Sequence, residues 1–161
     1  MDFQSSPLQV EIKDDMNQSV VFLRGDILEG AEIALEALTT IPPQRSVVFD
    51  LEQLGFINSY GVGGFARFMK RFTQNHAVSF IRCPQGFVDQ AVLVPSMVGN
   101  GRVLSLYVNF ECPGCGRYRL KLVDRQHIRS HDLFPSEPCP GCGKPMHIMV
   151  DADELDARFL G

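Results

Sequence analysis

The sequence has no tryptophan, only three tyrosines, and no apolar run long enough to cross a bilayer. A spanning helix needs about 20 consecutive apolar residues, and the longest stretches here, such as Ala91 to Val94, fall far short, so no membrane partner is expected. The opening MDFQSSPLQVEIKDD lacks the basic and apolar segments of a secretory leader, which makes a cytoplasmic location the expectation. A positive charge excess is missing too: 15 Lys and Arg stand against 19 Asp and Glu, a net charge of −4. That balance argues against broad nucleic-acid binding, which needs a basic face to displace counterions. A paired-carboxylate motif, a Walker-type glycine loop and a metal-ligand set with an open position are absent as well. Ser59 has no base beside it, since His76 lies about four to five helical turns further along. No enzyme is expected.

What is present is uneven. Of five cysteines, Cys83 stands alone near an apolar segment and reads as a small buried hydrophobe. The other four come as two copies of Cys-Pro-Gly-Cys-Gly, Cys112 with Cys115 and Cys139 with Cys142. Cys-x-x-Cys lets two thiolates converge on one cation if the backbone between them turns sharply. Pro113 and Pro140 preset φ for such a turn, and the glycines tolerate the positive φ a knuckle needs. Two knuckles 23 residues apart supply a tetrahedral Cys₄ set with no position left for water or substrate, so one structural zinc ion is expected. Disulfides are the alternative in an exported chain, and buried thiols or a redox pair in a βαβ context. Tyr118, Leu120 and Leu122 alternate with Arg119 and Lys121 as in a half-buried strand, and His147 to Val150 reads as its return partner. Residues 108–150 resemble the zinc-ribbon class. His127 and His131 fall in a polar loop between the knuckles, and His147 is a neighbour of the ion rather than a ligand. In the tail, Leu155, Phe159 and Leu160 recur at helical spacing.

The remaining two thirds alternates strand and helix signals. Residues 8–12 and 19–24 read as a hairpin, and 46–50, 77–82 and 103–108 as strands. Helices are expected from Gly30 to the Pro42-Pro43 stop, from Tyr60 to Gln74, and from Gln85 to Met97. Phe65, Phe68 and Phe72 recur at helical spacing and are assigned to the core. The fold class is therefore α/β: a mixed sheet of four to five strands with helices mainly on one face, followed by the small metal module. The expected division is 1–110 and 111–161.

Two segments of the first unit match a known pattern. Leu23-Arg24-Gly25-Asp26-Ile27, followed by an Ala- and Leu-rich helix, resembles the opening motif of STAS domains, the anti-sigma-factor antagonists. Val47 to Gly63, VVFDLEQLGFINSYGVG, resembles their signature of an apolar strand, Asp-Leu, and a Ser-Gly segment opening a helix. The resemblance spans about residues 8–110. It implies a non-enzymatic signalling protein whose partner is an anti-sigma-factor-like serine kinase, with Ser59 the phosphorylated residue and Asn58, Tyr60 and Gly61 beside it at the partner surface. Asn58 stands where the pattern has Asp, and Tyr60 where it has a small Ser or Thr. A non-phosphorylated interaction module, with Ser59 only capping its helix, stays open on these residues. A ribbon that contacts transcription machinery or nucleic acid also stays open. Against it, residues 111–150 carry six Lys or Arg and four acids, a small surplus for a phosphate-binding surface.

Overall fold

A computed structural model of the protein describes residues 6–125 and 137–148. The expectations for His127, His131, Met149, Val150 and the tail beyond them fall outside the described residues. Strands β1 (Gln9–Asp14) and β2 (Gln18–Ile27) form the expected antiparallel hairpin. Its turn is closed by Asp15, whose carboxylate accepts the Asn17 and Gln18 N–H groups at 2.7 and 2.8 Å. β3 (Ser46–Asp50), β5 (Ala77–Ile81) and β6 (Arg102–Val103) then add in parallel, giving the order β1-β2-β3-β5-β6. The far end of β2 pairs with β4 (Leu54–Ile57), with a register shift between Gly25 and Ile27. Gly25 is at φ +91°, and a Cβ there would stand 2.5 Å from the Pro7 carbonyl oxygen, so only glycine lets β2 bend at that point.

The faces of this sheet differ. Val21, Leu23, Val47, Phe49, Val78 and Phe80 are buried, whereas Val20, Phe22, Val48 and Ile81 on the alternate face are half-buried. α2 (Ser59–Asn75) and α3 (Gln85–Leu93) supply the rings that fill the buried side. Phe49 stacks on Phe80 at 5.3 Å and meets Phe72 edge-on at 6.0 Å, and Phe87 meets both Phe65 and Phe80. Each such ring contributes roughly 2–3 kcal/mol on burial. The core assignment of Phe65, Phe68 and Phe72 agrees with their burial.

Helix ends differ from expectation for local reasons. The segment after Gly30 is helical only as α1 (Ala31–Leu35) and tightens into a 3₁₀ turn over Glu36–Thr40. α3 stops at Leu93 because Pro95 forces Val94 out of helical geometry, to φ −127° and ψ 81°, and a separate 3₁₀ turn covers Pro95–Met97.

The expected strand at 103–108 divides at Leu104 and changes partners. Before the division β6 pairs with β5; after it β7 (Ser105–Glu111) becomes the centre of a second sheet, between β8 (Tyr118–Asp124) and β9 (His147–Ile148). The first turn of β7 still touches the main sheet: Cys83 N–H donates to the Ser105 carbonyl at 3.2 Å, and Tyr107 N–H to the Cys83 carbonyl at 2.8 Å. β7 is thus continuous across residues 110 and 111. A polar cluster holds the junction. Arg82, at a left-handed φ of 51°, turns its guanidinium onto buried Asp50 and onto Glu52, and the Tyr107 hydroxyl donates to Glu52 at 2.6 Å.

β8 faces the opposite way from its sequence reading. Tyr118, Leu120 and Leu122 are 65, 56 and 41 % exposed. The stems of Arg119 and Lys121 flank Phe110 and Met146 instead, and their charged ends share Glu137. Among the described residues one face of this small sheet packs, and β7 aims Val108 and Phe110 into it.

Candidate metal centre and partner surface

The two knuckles repeat one backbone geometry. Cys112 N–H donates to the Arg117 carbonyl and Gly116 N–H to the Cys112 carbonyl, at 2.8 and 2.9 Å. Cys139 N–H donates to the Lys144 carbonyl and Gly143 N–H to the Cys139 carbonyl, at the same two distances. Closing each loop requires Gly116 and Gly143 at φ of +71° and +76°, the conformation glycine permits. β7 delivers Cys112 at its end, and the return into β9 carries the second knuckle beside the first.

The four sulfurs lie within 4.8 Å of one another, with Cys112 Sγ 3.3 Å from Cys142 and Cys115 Sγ 3.5 Å from Cys139. Four sulfurs at about 2.3 Å from a tetrahedral ion stand about 3.8 Å apart, so the spacing of the set suits a metal ion. Cys112 and Cys139 are buried, and Cys115 and Cys142 face solvent. The Cys115 backbone N–H and the Cys142 thiol lower the Cys112 thiol to about 6. At Cys115 the Arg117 N–H lowers the pKa, but the shared proton with Cys139 and desolvation outweigh it and push the thiol up to about 11. His147 sits in β9 opposite Glu111, exposed, and does not join the sulfur group. Cys83 is buried beside β7, and desolvation pushes its thiol far up, as suits a packed hydrophobe.

The second region is the start of α2. Asn58, not Ser59, is the N-cap: it has extended backbone angles, and its Oδ1 accepts the Gly61 N–H at 2.8 Å. Ser59 is one residue inside the helix, exposed, and its hydroxyl makes no hydrogen bond among the described residues. The cap preference of Asn matches that of Asp, so the substitution at 58 keeps the helix start intact. Tyr60 is 74 % exposed and Phe56, just before the cap, 68 %. Gly61 serves packing rather than access, since a Cβ there would overlap the Ile27 carbonyl oxygen. Gly64 likewise accommodates Glu32, whose Oε2 is buried against it. Asp26 fixes the approach, accepting the Phe56 N–H at 2.8 Å and the Ser6 N–H at 3.1 Å. Sequence patterning brings out Ser59 and its neighbours but not Phe56, which lies in the short strand β4; its exposed aromatic ring beside a helix start is the signal that marks it.

No helix among the described residues is long and apolar enough to cross a membrane. No family model and no curated protein matches the chain. Among solved structures, the chain is similar in fold to an anti-sigma factor antagonist from Mycobacterium paratuberculosis, with 19% identity, a TM-score of 0.46, and coverage of 60% of this chain and 88% of that one.

Proposed function

We propose that the protein is a non-enzymatic cytoplasmic regulator of the anti-sigma-factor-antagonist type, which binds a protein partner through the surface around Asn58, Ser59, Tyr60 and Gly61. Residues 1–110 form the STAS-like unit that carries this surface, and residues 111–161 form a ribbon in which Cys112, Cys115, Cys139 and Cys142 hold one structural zinc ion. The observation that carries the reading is the exposed Ser59 hydroxyl in the first turn of α2, which makes no hydrogen bond among the described residues, with exposed Phe56 and Tyr60 near it in sequence. The two motif segments in 23–27 and 47–63 support it. A serine kinase partner would place a phosphate of about −1.5 to −2 charge there. The helix accepts that charge, because its N-terminus is electropositive and its first turn has no acidic residue. A partner packed over Phe56 and Tyr60 would have to desolvate it, so phosphorylation releases the partner without refolding the domain.

Zinc is favoured over other ions because four thiolates form a closed, soft, tetrahedral set. Retained free thiols suit the reducing cytoplasm. The test of the switch uses purified protein, its cognate kinase and ATP. One phosphate should appear at Ser59, Ser59→Ala should take up none, and Ser59→Asp should weaken partner binding at least tenfold. Tight binding by both variants, with no phosphate gained by the parent, removes the switch. That outcome leaves the second reading, a constitutive interaction module, which the bulk of exposed Tyr60 beside Ser59 favours.

A further inference from the structure

Two cations occupy equivalent places in the knuckles: Arg117 lies two residues after Cys115, and Lys144 two residues after Cys142. Each reaches across to the opposite knuckle. A Cβ on Gly141 would stand 2.8 Å from Arg117 Nε. A Cβ on Gly114 would stand 2.6 Å from Lys144 Cδ and 3.1 Å from Cys142 Sγ. The central glycine of each Cys-Pro-Gly-Cys therefore opens the space that the other knuckle's cation fills. Neither cation pairs with a carboxylate among the described residues, in contrast to Arg119 and Lys121, which share Glu137.

Four thiolates around a divalent ion leave two negative charges unbalanced. Two of the sulfurs face solvent, where a nearby cation can reach that charge. Resting on the reading of the cysteines as a divalent-metal centre, we infer that Arg117 and Lys144 are its counter-charges, positioned by the swapped packing over Gly141 and Gly114. They favour the metal-loaded knuckles over the empty ones. They also bring the loaded knuckles to neutrality, which takes the two unpaired cations out of use as phosphate contacts for nucleic acid.

The test is competition for Zn²⁺ between the full chain and a chromophoric chelator, at low salt and at about 1 M salt, where charges are screened beyond about 3 Å. The parent should bind one equivalent. Arg117→Gln and Lys144→Gln, which keep much of the stem, should each weaken binding about tenfold at low salt, and the double variant more, with the gap closing at high salt. Arg117→Lys should bind like the parent. The Co²⁺-loaded forms of all variants should keep the same tetrahedral thiolate spectrum, showing that the ligands are intact. Equal affinities at low salt, or a loss that salt does not diminish, overturn the counter-charge role while the metal centre stands. A parent that binds no Zn²⁺ overturns the metal reading itself.

Discussion

The two sheets of this protein meet where β6 gives way to β7, and they are held together by different physics. In the larger one, Phe49, Phe65, Phe80, Phe87, Leu23, Ile27 and Met69 are all fully buried, and the helices exist to cover them. Past Phe110, the buried residues among those described are Cys112, Val123, Cys139 and Met146, and two of these four are sulfur ligands. Among the described residues, that apolar interior is small beside the chain entropy it would have to offset. The larger sheet rests on its own side chains; on the proposed reading of the four cysteines, the smaller one rests on a bound cation.

That contrast is easiest to break at the sulfurs. Cys139→Ser should forfeit most of the metal-coupled folding energy of the ribbon, on the order of 10 kcal/mol. Near-ultraviolet spectra of the phenylalanine core should nonetheless persist, and a global loss of structure would refute the separation. The reverse experiment is Phe80→Ala, which removes a ring stacked between Phe49 and Phe87. A loss of about 3–5 kcal/mol in denaturant unfolding is expected, with zinc stoichiometry unchanged. A smaller effect sharpens the account of the helix start: Asn58→Ala should cost about 1 kcal/mol, because the Gly61 N–H loses its acceptor, whereas Ser59→Ala should cost almost nothing. Equal losses would return the cap to Ser59.

How much of this was legible in the sequence follows from the range of each interaction. The knuckles, the phenylalanine stripe of α2 and the strands 46–50 and 77–82 are local patterns, and they appear where the residues place them. β4 was not legible, because four residues interrupted by Gly55 become a strand only by pairing with the distant end of β2. The alternation in β8 announces two faces, but which one is covered depends on β7 and Glu137. The cap was ambiguous by one residue, since Asn58 and Ser59 are both capping types and the choice is made by where Ile27 anchors the Asn58 N–H. The swapped cations over Gly114 and Gly141 depend wholly on how the knuckles face each other.

The most direct measurement is hydrogen–deuterium exchange on the zinc-loaded chain before and after chelation. Protection should vanish over β8, β9 and the end of β7 from Asn109 to Glu111. It should survive in α2, β3 and β5, and at the Tyr107 amide that donates to Cys83. Chelation that opens both sheets together, or that leaves β8 and β9 protected, would contradict a metal-held ribbon built on a strand of a self-sufficient core.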